Sequence, residues 1–512
     1  MNAILVPLLV AIPLGGAFLI ALVARKVRVL ADILGNAATL ATLVIAVFLF
    51  RARGVYSISG WAPPIGISWV LDGLSNLVLL IIALISFATT LFSSQYMEQY
   101  TAKYKYYSLF LLMVTGMNGV ALTGDLFNLF VFLEVASVAS YALVAFGGRQ
   151  EELEAAFKYL VLASTGSTLV LFGIAFLYAA TGYLNMAAIS RALHQAVPGG
   201  ATLANPLVLL AAVFFVVGFG IKAALVPFHP WLPDAHPSAP APISAMLSGV
   251  LIKALGIYAL ARVFFNVIGM TPLLGWILIA IGALSMVIGV FLAVGQWDFK
   301  RLLAYHSISQ MGYVVLGVGL GGYILAVGGN QAAALLAILG GIFHLANHSV
   351  FKSLLFLASG SIVYSAGTRQ LKEMGGLRER MPLTRATCTI ASLSSAGVPP
   401  FNGFWSKLII IIAAFQAGFP WLGAITILVS FMTLVSFLKV LRYAFLGKLP
   451  EALRQVRESP AMMGIAMVLL AVFCAGMGLI LIPGARQLIL DPAVAALARG
   501  VQYAQTALLA RQ

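Results

Sequence analysis

The chain is divided into long apolar runs, and this limits its fold more than any other feature. In hydrocarbon every backbone N–H and C=O must be satisfied within its own segment, so a run of about 20 residues that crosses lipid is a helix. About 14 runs meet that length rule, at 3–23, 29–49, 69–92, 107–122, 126–146, 157–180, 203–226, 243–265, 274–294, 303–325, 332–358, 387–415, 425–445 and 461–482. With 62% hydrophobic and 9% charged residues the chain lies outside the soluble classes. The expected fold class is an all-α integral membrane bundle of about 14 transmembrane helices.

The first run has no basic residue before it and Arg25, Lys26 and Arg28 after it, the reverse of a cleaved signal peptide, so it is expected to be retained. Odd-numbered loops hold 18 Lys and Arg, among them Lys103, Lys300, Arg301 and Arg369, against seven (Arg51, Arg53, Arg191, Arg262, Arg486, Arg499, Arg511) on even-numbered loops and the tail. By the positive-inside rule both termini are expected outside. The net charge of +15 is spread through these loops and forms no compact stripe, which argues against nucleic acid. Cys388 and Cys474 stand alone in separate runs, with no CxxC and no phosphate loop, so no cofactor is expected in this chain.

Five lysines remain, all inside apolar runs: Lys222, Lys253, Lys352, Lys407 and Lys439. An ionisable group near the bilayer centre costs about 2.5 to 3.5 kcal/mol on insertion scales, so their number needs a reason. Lysine can give up its proton in a desolvated site and arginine in practice cannot, which is what a proton carrier requires. Lys439, near the end of its run, reads equally well as a snorkelling side chain. Glu134, embedded in run 126–146, is the companion carboxylate. A Glu and a Lys on neighbouring helices make a proton site that can be switched by moving the two apart, or else a static buried ion pair.

Runs seven and twelve carry helix breakers. The stretch from Gly218 to Pro242 contains Pro227, Pro230, Pro233, Pro237, Pro240 and Pro242, and the stretch from Ser395 to Lys407 contains Gly397, Pro399, Pro400 and Gly403. Interrupted segments at corresponding places in two halves, each beside a lysine, point to inverted repeats with an ion site at the break. A five-helix repeat pairs spans four to eight with spans nine to thirteen. In span eleven, His344, His348 and Lys352 recur every four residues and share a helical face over roughly 12 Å. Histidine passes protons through two nitrogens, so the ladder is expected to be a hydrogen-bonded proton wire.

Four stretches, LTGDLFNLFVFLEVASVASYALVAFG, HPWLPDAHPSAPAPISAMLSGVLIK, DFKRLLAYHSISQMGYVVLG and HLANHSVFKSLLFLASGSI, carry a family resemblance. From about Tyr104 to Phe445 the chain resembles the D-type subunits of Mrp-type cation/proton antiporters and their relatives in membrane-bound hydrogenases and complex I. The resemblance implies two inverted five-helix repeats, broken helices 7 and 12, and a polar axis along the membrane midplane. It divides the chain into helices 1–3 (1–105), a first repeat (106–266), a second repeat (267–447), and helix 14 with the tail (448–512). It matches Glu134 and Lys222 to the helix-five and helix-seven pair and Lys253 to the connecting lysine. His344, His348 and Lys352 match the helix-eleven polar run, and Lys407 the helix-twelve terminal residue. One complex I branch carries glutamate at that last position.

The implied function is a proton-translocating subunit of a multisubunit Na+/H+ antiporter, or else the pumping module of a hydrogenase or complex I-like oxidoreductase. The implied partners are other membrane subunits, protons, Na+ as a candidate second ion, and the lipid of a prokaryotic cytoplasmic membrane. A channel is disfavoured because no charged ring is present, and a redox enzyme because no cofactor ligands are evident.

Overall fold

The computed structural model describes residues 5–25, 27–61, 63–196 and 202–505. Lys26, Arg511 and the first two residues of the opening run lie outside them. The chain runs α1 (Leu5–Val23), α2 (Arg28–Leu49), a hairpin of β1 (Gly54–Ser57) and β2 (Ser68–Leu71), α3 (Gly73–Tyr96), α4 (Lys103–Leu122), α5 (Leu126–Val144) and α6 (Gln150–Thr181). A surface helix α7 (Met186–Ala196) leads to α8 (Pro206–Lys222), α9 (Leu232–Ser238) and α10 (Ala241–Ile268). There follow α11 (Pro272–Val294), α12 (Phe299–Ala326), α13 (Gln331–Ala366), α14 (Pro382–Ala396), α15 (Asn402–Gln416), α16 (Pro420–Phe445), α17 (Ala461–Gly476), α18 (Pro483–Ile489) and α19 (Asp491–Ala498).

Among the described residues eleven helices are long and apolar enough to cross a membrane. With α4 and the two broken pairs, α8–α9 and α14–α15, the helix count agrees with the about fourteen crossings expected. The breaks fall at 223–231 and 397–401, within the proline- and glycine-rich stretches of runs seven and twelve. The helices begin where a short polar residue accepts from their first free N–H groups. Asp72 does this for α3, Asp125 for α5, Asn205 for α8, Thr271 for α11, Asp298 for α12 and Asn330 for α13.

The β1–β2 hairpin pairs Gly54 with Leu71 and Ser57 with Ser68, antiparallel, in a segment that reads from sequence as a loop. Trp69, expected to open the third span, lies in β2, because Asp72 caps the helix one residue before Gly73.

The buried centre is α10, enclosed along its whole length and packed against α3, α8 and α13; α1, α2, α16 and α17 form the periphery. Without a hydrophobic drive between helices in lipid, close backbone approach does the packing. Gly275, Gly282 and Gly289 present one face of α11 to α12, and a Cβ at Gly312 would come within 2.5 Å of the Gly282 carbonyl oxygen.

Lys439, the fifth intramembrane lysine, donates to the carbonyls of Val294 (2.7 Å) and Gln296 (2.6 Å) and lies 4.9 Å from the Trp297 ring centroid. It closes the C-terminal end of α11, where carbonyls lack helical partners. Lys439→Met is expected to destabilise the fold by about 1 to 3 kcal/mol, the cost of leaving such groups unpaired. Proton transport per assembled molecule should stay at the wild-type level; thermal unfolding of the detergent-purified complex, with transport measured alongside, checks both.

Candidate functional site

In the first half, α5 presents Glu134 and α8 ends on Lys222. The ammonium lies 3.8 Å from Glu134 Oε1, donates to Ser137 Oγ at 2.9 Å, and Ser167 Oγ donates to the same carboxylate oxygen. A separation of 3.8 Å is an ion pair without the 2.7–2.9 Å of a charge-assisted hydrogen bond, so the two attract while a serine holds the lysine. Lys222 is 3% exposed and Glu134 32%. The break after α8 is itself satisfied: Trp231 Nε1 donates to the Ile221 carbonyl (2.9 Å) and Ser285 Oγ accepts from Val226 N–H (3.0 Å).

Lys253 stands on α10, which is wound as π-helix over Leu247–Leu251, Lys253–Tyr258 and Val263–Ile268. π-turns are rare and collect at functional positions. Lys253 donates to the Ser248 carbonyl, and Ser248 Oγ lies 2.7 Å from Ser307 Oγ on α12. Gly249 brings this stretch against Ser349 and Ser353 of α13. Lys253, His344, His348, Lys352 and Lys407 are all buried.

On α13, His344, His348 and Lys352 share a face and are wholly buried. They make no hydrogen bond to one another. His344 bonds sideways, Nδ1 to Ser406 Oγ (2.9 Å) and Nε2 to Gln310 Oε1 (3.1 Å). The His344 and His348 rings are 6.5 Å apart, and among the described residues neither His348 nitrogen nor Lys352 Nζ has a hydrogen-bond partner. The reason is geometric: one helical turn rises about 5.4 Å, farther than an imidazole reaches along its own axis.

Lys407 enters at the second break. It donates to the carbonyls of Ser395 (2.8 Å) and Ala396 (3.4 Å), which end α14, and lies 4.7 Å from the Tyr313 ring centroid. Gly397 is needed there: its φ is +83° and a Cβ would sit 3.0 Å from Lys407 Cδ. Lys222 is the last residue of α8, so both lysines occupy the C-terminal, partially negative end of the half-helix before a break.

Several buried groups escaped the sequence reading. His236 of α9 stacks on Phe356 at 4.6 Å, with neither nitrogen bonded among the described residues. Three loop assignments are corrected. Lys103 is buried and donates to Asp32 (2.7 Å), whose other oxygen accepts from Tyr107 (2.8 Å). Lys300 is buried and donates to the Ala239 carbonyl (2.6 Å). Arg262 lies inside α10, 3% exposed, paired with Asp72. The available signal was that Asp32 falls within apolar run 29–49 and Arg262 within run 243–265, and that Lys103 and Lys300 adjoin run ends. Burial pushes the Asp72 carboxyl upward, but the Arg262 guanidinium and two backbone N–H groups outweigh it and hold Asp72 below the ordinary carboxylate range.

Long apolar helices, two of them broken beside a buried lysine, define a multi-pass membrane protein. The chain belongs to the family described as NADH:quinone oxidoreductase/Mrp antiporter, TM, whose model matches residues 123–433. A second model, described as NADH-ubiquinone oxidoreductase (complex I), chain 5 N-terminus, matches 62–107. The chain is 37% identical over 405 residues to the N-type subunit of the NADH-quinone oxidoreductase of Desulforudis audaxviator, covering 77% of this chain and 76% of that one. It is 35% identical over 453 residues to the D-type subunit of the Na(+)/H(+) antiporter of Alkalihalophilus pseudofirmus, covering 87% of each. In structure it matches a chain of the Mrp complex from Dietzia sp. DQ12-45-1b with TM-score 0.88 and 31% identity, covering 99% of this chain and all of the other. The resemblance read from the four sequence stretches is thereby shown.

Proposed function

We propose that this chain is the proton-translocating subunit of a multisubunit Na+/H+ antiporter, moving protons along Glu134, Lys222, Lys253, His348, His344, Lys352 and Lys407. The observation that carries this reading is the placement of a deprotonatable lysine beside each of the two helix breaks, with two further lysines and two histidines buried between them. The division into repeats at 106–266 and 267–447 accounts for two breaks at equivalent places. Both termini face outward under the charge asymmetry of the loops, in a prokaryotic cytoplasmic membrane.

Glu134 supports a neighbouring subunit. It shares the outer face of α5 with Phe127, Val131 and Val138, all exposed, and a carboxylate turned to lipid is costly. A protein partner across this face removes the cost. A second reading, the pumping module of a complex I-like oxidoreductase or membrane hydrogenase, is favoured by the similarity to a quinone oxidoreductase subunit. Isolation of the native complex separates the two: small antiporter subunits support the first, a nickel–iron or iron–sulfur subunit the second.

The helix-eleven residues are expected to fail by degrees. His348→Ala should slow proton movement about three- to tenfold and shift its pH profile, because water can stand in for one relay group. Lys352→Arg should be worse, since arginine keeps its proton. Internal pH recorded in vesicles holding the assembled complex under a sodium gradient checks this, and wild-type rates in both variants would reduce the ladder to packing.

A further inference from the structure

Six helices of this bundle are started by a residue just before their first turn, but α14 is started from far along the chain. Its flanking residue Met381 gives no side-chain cap, and its first residue, Pro382, has no N–H. The first two N–H groups, those of Leu383 and Thr384, donate to Glu458 Oε2 at 2.8 and 3.1 Å. Glu458 Oε1 accepts from the Thr384 hydroxyl (2.5 Å) and from Ser459 N–H (3.1 Å). The Thr384 hydroxyl has one hydrogen, so its 2.8 Å contact with Ser361 Oγ of α13 is a donation from Ser361. The carboxylate stands on a fixed base. Glu458 lies just before α17, beyond the second proposed repeat, and Met462 N–H at the start of α17 donates to Gln95 Oε1 of α3 (2.7 Å).

The far end of α14 is the one that meets Lys407. No proline or glycine interrupts residues 383–396, so the helix is a rod of about 22 Å. A shift at its first turn is therefore carried to the Ser395 and Ala396 carbonyls, to which Lys407 donates. A carboxylate at the N-terminal end and an ammonium at the C-terminal end both suit the helix dipole. The two holds differ in one respect. A carrier lysine loses its charge once in every cycle, whereas Glu458, accepting from four donors, keeps its own.

Resting on the proton-carrying reading above, we propose that Glu458 is a positioning residue for Lys407. It fixes α14 from the odd-loop face, so that the carbonyl pair at the second break stays in place while the lysine releases and regains its proton. Without this anchor the start of α14 has two unpaired N–H groups, the helix shifts, and the amine of Lys407 loses the acceptors that orient it.

Glu458→Gln tests this. The amide oxygen can still accept from the Leu383 and Thr384 N–H groups, but the NH2 meets the Thr384 hydroxyl and the Ser459 N–H as a further donor, and the charge is gone. In vesicles holding the assembled complex under a sodium gradient, driven proton movement per assembled molecule should fall about five- to tenfold, the effect of a misplaced reacting group. Its solvent deuterium isotope effect should rise at least about 1.5-fold over wild type, because proton transfer at Lys407 becomes the slow step. A merely structural carboxylate would lower the yield of complex and leave both quantities at wild-type values, as expected for Lys439→Met. That result, or a slower rate with an unchanged isotope effect, would overturn the proposal. Should Glu458→Gln fail to assemble, Thr384→Val decides the matter, since it removes the hydroxyl that Glu458 holds and keeps both N–H bonds. A rate about two- to threefold lower with a raised isotope effect is expected, and wild-type values of both would overturn the proposal. Failure of the proton-carrying reading itself would look different: Glu134→Gln and Lys407→Arg would then leave driven transport intact whatever Glu458 does.

Discussion

Glu134→Gln is expected to slow driven proton movement at least about 30-fold in the assembled complex while leaving assembly intact. Two unit charges 3.8 Å apart interact by about 4 kcal/mol at the effective dielectric of a partly exposed pair, so losing half of that from the rate-limiting barrier accounts for the factor. Glutamine can still accept from Ser167, so the hydrogen bond survives and only the charge is lost. Lys222→Ala should cost as much by removing the carrier. The double variant should be no more than about threefold worse than the worse single one, as for two groups that act as a unit. Fully additive losses, measured as initial rates of internal pH change, would make Glu134 and Lys222 independent.

Lys407→Arg is expected to be nearly as severe, at least about 30-fold in the same assay, because the guanidinium cannot release a proton. The side chain of an arginine could still donate to the Ser395 and Ala396 carbonyls, so packing at the break should hold. Lys407→Glu should retain part of the activity. A neutral glutamic acid can donate one O–H to the Ser395 carbonyl, while its ionised form faces only acceptors there, so it remains titratable in a place that favours one state. Full activity with arginine would show that Lys407 supplies only fixed positive charge.

The spans, both breaks and the intramembrane lysines were legible in the sequence because lipid leaves the backbone few choices and makes every buried charge conspicuous. Helix winding was not. Nothing in LSGVLIKALGIY announces π-turns, which arise where α10 is enclosed on all sides and its neighbours set the register. Charges near span ends were the other blind spot. Lys103 and Lys300 adjoin apolar runs and Arg262 falls near the end of one, and all three read as loop residues until Asp32, the Ala239 carbonyl and Asp72 are found opposite them. Lys439 shows the converse: an intramembrane lysine that resembles the others in sequence and serves to close the end of α11. The every-fourth-residue rhythm of His344, His348 and Lys352 correctly gave a shared face, but a shared face does not bring ring nitrogens within bonding distance.

Proton hand-over across the molecule requires a continuous buried axis, and in the proposed path Lys253 is the residue that joins its halves. Lys253→Ala removes the only ionisable side chain offered by α10 at that depth, in surroundings that are closed to lipid and bulk water alike. The decisive measurement is internal pH in vesicles holding the assembled complex, with a sodium gradient imposed and the amount of complex equal in both preparations. Wild-type vesicles should change pH promptly and Lys253→Ala vesicles should show no more than about a hundredth of that rate, since an apolar gap interrupts proton hand-over. A pH response of wild-type size in Lys253→Ala vesicles would contradict a proton path along this axis.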